Sequence, residues 1–181
     1  MNIVITILLV IIGLVVLLLV IALFTQKSYT IAREAIVKRA KGEVFNYVKY
    51  LKNQDFYSKW VMRDPNMKKT YAGTDGTPGF VYAWDSNDKN AGKGEQEIKR
   101  IVEGEQVGTE LRFERPFKNV AQALMTASDL GGNQTKVKWE FSSRMEYPMN
   151  VMLLFVNFDK LLGKDMEESL SRLKGILEKQ S

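Results

Sequence analysis

Few residues in this chain can do covalent or metal chemistry, and what is missing decides as much as what is present. Among 181 residues there is no His and no Cys. That excludes a Cys/His nucleophile pair, a Ser-His-Asp triad and zinc sites built on imidazole or thiolate. No metal and no cofactor is expected. Carboxylates and Lys remain as acid–base groups, but such roles need burial to move a pKa, and most acidic residues here fall on polar strand faces or in turns. The run from Asp85 to Asn90 has the look of a calcium loop, yet Lys89 stands at its fifth position, Asn90 replaces the sixth-position Gly and Gln96 the twelfth-position Glu, so it reads as a turn. Gly73, Gly76 and Gly79 are spaced like a phosphate loop, but no Lys-Ser/Thr pair follows, and a hairpin turn is expected. Arg100 shares strand parity with Ile98 and Val102, which would aim it inward at an anionic head group; its long stem equally allows it to reach the rim or solvent.

What remains is binding chemistry. Trp60, Tyr82, Trp84, Phe113, Trp139, Phe141, Phe155 and Phe158 are candidates, with Arg100, for the lining of an apolar pocket, since aromatic rings present large rigid surfaces to a ligand. The competing reading is that most of these rings simply pack the core.

The elements that would position them fall into two parts. Residues Ile3 to Phe24 are apolar apart from Thr6 and Gly13, while all 26 Lys+Arg and 21 Asp+Glu lie at Lys27 or later. A helix of roughly 22 residues is about 33 Å long, matching a hydrocarbon core of ~30 Å. A cleavable signal peptide needs a basic start, a shorter apolar region and small residues at the cleavage site, none of which is found here. The expectation is an uncleaved transmembrane anchor over 1–26 and one domain over 27–181. Lys27, Arg33, Lys38, Arg39 and Lys41 follow within about 15 residues of the helix end, so the domain is expected on the cytoplasmic side of a single-pass membrane protein. The absence of Cys suits a reducing compartment. A net charge of +5 and a pI of about 9.3 suit a position beside an anionic leaflet, or simply a solvated face. The charge is spread along the chain rather than clustered, which does not point to nucleic acid.

In the second part, Tyr29 to Val37 reads as a strand, Glu43 to Val48 as a helix and Leu51 to Trp60 as another, ended by Asp64-Pro65-Asn66. Strands are then expected at Met67 to Ala72, Phe80 to Asp85, Glu95 to Glu103, Thr109 to Glu114, Asn119 to Leu130 and Thr135 to Glu146, the last two joined as a hairpin by Gly131-Gly132-Asn133. Thr135, Val137, Trp139, Phe141 and Met145 alternate with Lys136, Lys138, Glu140, Arg144 and Glu146, so one face of that strand is core and the other water. Phe80, Tyr82 and Trp84 share one parity, as do Leu111 and Phe113, which gives the sheet an aromatic face. From Val151 to Leu177 apolar residues recur every three or four positions, predicting an amphipathic helix of roughly thirty residues. The expected class is α+β: a curved antiparallel sheet of about seven strands around one long C-terminal helix. One helix cannot fill a strongly curved face, so an internal cavity is expected.

The chain resembles the SRPBCC superfamily of START-like, helix-grip proteins, whose members include lipid-transport-like and polyketide cyclase/dehydrase-like proteins. The likeness is carried by the Ile36 to Phe45 passage with Val44-Phe45, by Trp60, by Gly76-Thr77-Pro78-Gly79 followed by Trp84, and by Gly92-Lys93-Gly94. It continues through Phe113-Glu114-Arg115-Pro116-Phe117, the stretch from Gly132 to Trp139, and Gly163-Lys164-Asp165 with Leu170 to Lys174. It covers about Tyr29 to Glu178 and implies a hydrophobic cavity for an apolar or amphipathic, lipid-like ligand, but no single reaction, since the fold serves many functions. The N-terminal apolar helix departs from the commonest members. Three functions follow as expectations: a membrane-anchored binding module for a hydrophobic small molecule, a cyclase/dehydrase-like enzyme, or a filled-core scaffold for a membrane protein. The sequence names no protein partner. A cavity larger than a few waters separates the first two from the third.

Overall fold

The computed structural model describes residues 2–88 and 90–179; Met1, Lys89 (the fifth position of the calcium-like run), Gln180 and Ser181 lie outside the described residues. Helix α1 (Ile3–Phe24) opens the chain, its N-terminus capped by the Asn2 side chain, which accepts from the Val4 N–H. It is apolar all round, so no face is marked for a core, and nearly all its side chains are exposed; Ala22 is the buried one. By length and composition it can cross a bilayer, a property it shares with signal sequences.

Seven strands follow: β1 (Ser28–Val37), β2 (Lys68–Ala72), β3 (Val81–Asp85), β4 (Lys93–Val102), β5 (Gln106–Arg115), β6 (Asn119–Gly131) and β7 (Gln134–Arg144). They form one antiparallel sheet in the order β1-β7-β6-β5-β4-β3-β2, so the first strand closes beside the last and β1 and β2 are the edges. The alternation along β7 is realised: Thr135, Val137 and Trp139 are buried, and Lys136, Lys138 and Glu140 between them face outward. Helix α2 (Lys41–Val48) buries Val44, Phe45 and Val48, the apolar positions expected of it.

Two helical expectations change. Leu51 to Trp60 is not one helix but a 3₁₀ turn (Leu51–Asn53) and two single turns, α3 (Gln54–Tyr57) and α4 (Lys59–Met62). The Leu51 and Lys52 N–H groups donate to the Asp75 carboxylate at 2.8 and 3.1 Å, which pins the start to the β2–β3 turn. Ser58 is extended between the two turns, and the next N–H, of Lys59, leaves the helical ladder to donate to Ser169 Oγ at 2.9 Å. The C-terminal helix α5 runs over Phe158–Lys179, 22 residues rather than about thirty, with Met149–Leu154 forming a separate 3₁₀ turn. Asn157 marks the boundary: its Oδ1 accepts from the Lys160 N–H at 2.8 Å, the N-cap bond that starts a new helix.

The sheet grips α5 through Met166, Leu170, Leu173 and Leu177, spaced by four, three and four residues, against Ile31, Val37, Val137 and Trp139. A second cluster of Phe45, Leu51, Phe80, Tyr82, Ile98, Val107 and Ala127 fills the space under α2 and the 3₁₀ turn after it. Between the two clusters the concave face is incompletely filled.

Candidate functional site

That gap is a cavity of about 210 Å³ between the sheet and α5. Buried residues form its floor: Ser58, Met67, Tyr82, Gln96, Ala123 and Trp139. Partly exposed ones stand nearer solvent, among them Trp60, Trp84, Phe113 and Leu162, with exposed Asn90 at the rim. A small extension continues past Ala123 and Trp139 toward Val107 and Met125.

Each wall follows from local sequence. Tyr82 and Trp84 point inward together because they are two apart on β3, and Trp139 and Phe141 do the same on β7. The Trp84 indole packs close over Gly94, its partner on β4: a Cβ there would come within 2.6 Å of the Arg112 carbonyl oxygen and 2.9 Å of the indole itself. Trp84 is held further by its Nε1–H, which donates to the Ala91 carbonyl at 2.9 Å, and by Phe113, edge-on at 5.8 Å between centroids. Trp60 stands perpendicular to Trp139 at 5.7 Å. The chain contains three tryptophans, and all three line this cavity.

Polar groups in the lining are sparse. Gln96 occupies an inward position on β4 and is buried; its amide donates to Thr109 Oγ1 at 2.9 Å, and Thr109 in turn donates to the Ala123 carbonyl. The Tyr82 hydroxyl donates to Asp55 at 2.6 Å, and Lys69 pairs with the same carboxylate at 3.0 Å. Burial first, then the hydrogen bond and negative charge of Asp55, push the Tyr82 phenol far above its ordinary range. Tyr82 therefore remains protonated, a hydrogen-bond donor rather than a base. Among the described residues no group of three or more acidic side chains is placed to hold a metal ion.

Of the aromatic candidates, Trp60, Tyr82, Trp84, Phe113, Trp139 and Phe141 come together here. Arg100 does not: a bulge in the β4–β5 pairing between Ile98 and Arg100 breaks the alternation, so Lys99 and Arg100 both face outward while Ile101 takes the inward place against the core. Phe155 and Phe158 also lie elsewhere. Phe155 sits outside the helix that was expected to carry it inward and is 72% exposed. Phe158 stacks on Tyr29 at 5.0 Å beside a separate surface groove. Residues passed over in the sequence include Gln96, Met67, Leu111, Ala123 and Leu162. Gln96 carried a signal as a polar side chain on the inward parity of β4, and Leu111 shared the inward parity of Phe113 without being singled out.

Arg33 holds the helix over the cavity. It stands on the inward face of β1 and donates to both carboxylate oxygens of Asp159, at 2.9 and 3.0 Å, and to Glu167. Its guanidinium occupies the space that a side chain at position 163 would need, so Gly163 is what lets α5 approach. The bonds from Arg33 hold the Asp159 carboxyl below its usual value. Leu162, next to Gly163, is thereby set against the cavity.

No family model matches the chain, and no curated protein matches it. Solved structures do. Norcoclaurine synthase from Thalictrum flavum, in complex with dopamine and hydroxybenzaldehyde, superposes with a TM-score of 0.59 at 11% identity, over 84% of this chain and 90% of that one. The Aha1 dimer from Colwellia psychrerythraea gives 0.56 at 14% identity, over 83% and 96%. Protein CV1439 from Chromobacterium violaceum gives 0.58 at 11% identity, over 82% and 96%. At such identities the likeness is one of fold: this chain has the helix-grip fold, a curved antiparallel sheet around a long C-terminal helix, with an apolar helix added at its N-terminus.

Proposed function

We propose that this protein is a membrane-tethered binding module that holds a small apolar or amphipathic molecule between its sheet and α5. The observation that carries the reading is the cavity of about 210 Å³, walled by the chain's three tryptophans and floored by one buried carboxamide, Gln96. Apolar walls with a few placed polar groups are the usual chemistry of a small-molecule site. The volume lies below the ~300–1,000 Å³ of drug-sized sites, so the ligand is compact, or is one chain of a longer lipid. The aromatic pair bound by norcoclaurine synthase has that scale and supports the reading by analogy of fold. At about 30 Å³ per water, the cavity exceeds a few waters and weighs against a filled-core scaffold. The titratable residue in the lining, Tyr82, commits its proton to Asp55, so the lining supports holding a ligand more directly than moving a proton.

Occupancy should be visible in the protein's own fluorescence. When full-length chain in detergent micelles is titrated with small phenols, aryl aldehydes and medium-chain fatty acids, a saturable change in tryptophan emission is expected with at least one class. If no compound shifts the emission and none remains bound in native mass spectrometry, the binding reading fails.

The proposal includes α1 as the tether and the cytoplasm as the side of the domain, because Lys27, Arg33, Lys38, Arg39 and Lys41 follow the helix. A C-terminal fusion to a reporter active only in the cytoplasm should be active; a stable, membrane-bound but silent fusion would reverse the orientation.

A further inference from the structure

The exposed apolar side chains outside α1 include a group at one place, where the chain leaves that helix. The 3₁₀ turn Met149–Leu154 and the residues after it read Met149-Asn150-Val151-Met152-Leu153-Leu154-Phe155-Val156, eight residues without a charge. Met149, Leu154 and Phe155 are 49%, 57% and 72% exposed, although a soluble protein gains nothing from presenting them together. The polar residue in the run, Asn150, is the buried one. Its Nδ2 donates to the carbonyls of Ala22 at 2.7 Å and Thr25 at 3.0 Å, which are backbone acceptors at the C-terminal end of α1. Next along, the Met145 N–H donates to the Lys27 carbonyl at 2.7 Å.

These bonds fix the height of the turn. A helix of 22 residues is about as long as a hydrocarbon core is thick, so its last turn, with Phe24 86% exposed, stands at the boundary between acyl chains and head groups. Asn150 bonds to that turn and brings Met149, Leu154 and Phe155 to the same level. By strand register, the end of the sheet where β1 begins also carries the β5–β6 turn, since Ser28 faces Arg144, Ala121 faces Ser143 and Asn119 faces Phe113. That turn presents Phe117, 74% exposed.

We infer that the segment Met149–Val156 is a membrane foot: it lies in the lipid interface beside α1 and seats the domain on the bilayer in one orientation. The occupant of this apolar face is lipid, because the face is continuous with the end of α1. The inference rests on the reading of α1 as a membrane span. The groove beside the foot, lined by Tyr29, Leu154, Phe155 and Phe158, then opens at the lipid surface.

The chain has no Cys, so a single introduced thiol reports from one site. Full-length Phe155→Cys carrying an environment-sensitive fluorophore would be reconstituted into phosphatidylcholine–phosphatidylglycerol vesicles with brominated acyl chains. Gln134→Cys, at the opposite end of β7, serves as reference. The expected result is about twofold quenching at position 155, as for a group buried at the acyl boundary, and none at 134. Leu154→Cys repeats the measurement should Phe155→Cys fail to fold. Equal, unquenched signals at both sites in protein that resists carbonate extraction would overturn the foot and leave the span intact. Release of the protein by carbonate would overturn the span, and the foot with it.

Discussion

Trp139→Ala should lower the stability of the full-length chain by about 3 kcal/mol, the lower part of the ~3–5 kcal/mol range for buried Trp or Phe truncations. The indole is 6% exposed, packs edge-on to Trp60 at 5.7 Å and Tyr57 at 6.5 Å, and belongs to the cluster that α5 closes. The lower figure follows from the cavity: part of the ring already faces empty space, and those atoms have no dispersion partners to lose. For a chain of this size the melting temperature should fall by roughly 6–12 °C, measured by circular dichroism in micelles. The truncation also enlarges the cavity, so an added aromatic compound that refills it should restore stability by about 2.7 kcal/mol at a hundredfold excess over its Kd. A loss below about 1 kcal/mol would mean that Trp139 does not hold the two layers together.

How much of this site could be read in the sequence depended on how regular the backbone is beneath each residue. Tyr82 with Trp84, and Trp139 with Phe141, were legible because two residues apart on an uninterrupted strand means the same face. Arg100 obeyed that rule on paper. The bulge after Ile98 removed it, and nothing in Glu97-Ile98-Lys99-Arg100 announces a bulge. Phe155 and Phe158 failed for a different reason. The three-and-four spacing of apolar residues runs on from Val151 through Phe155 to Phe158, but periodicity records which residues are apolar and not where the hydrogen-bond ladder restarts. Asn157 followed by Asp159 was the available mark of a new helix start. Asn150, a lone polar residue in an apolar run, was the other mark, since burying an amide there requires partners, and these lie 128 and 125 residues earlier in the chain. Such long-range pairs carry no local pattern. Ala123 and Leu111 were passed over because an aliphatic residue facing a cavity and one facing the core have the same sequence signature.

Ala123 gives the sharpest separation of binding from folding. On β6 it lies opposite Thr109 and Phe141, 7% exposed, and it borders both the main cavity and its small extension. In Ala123→Phe the added ring would enter space that is already open, so its burial offsets much of the strain of crowding and stability should stay within about 1 kcal/mol of the parent. The ligand would meet that ring where it previously met free volume. Forfeiting about 100 Å² of apolar contact at ~25 cal/mol per Å² costs about 2.5 kcal/mol, so affinity for any compound that shifts the tryptophan emission should fall close to a hundredfold. Ala123→Leu, with a smaller side chain, should give an intermediate loss, and it covers the case in which the Phe variant is overpacked. If Ala123→Phe folds and still binds as tightly as the parent, the ligand sits somewhere other than this cavity, and the groove beside Phe158 becomes the place to look. Loss of binding with stability unchanged is an outcome that a purely structural role for the cavity would not produce, because removing empty space alone gives a structural core nothing to lose.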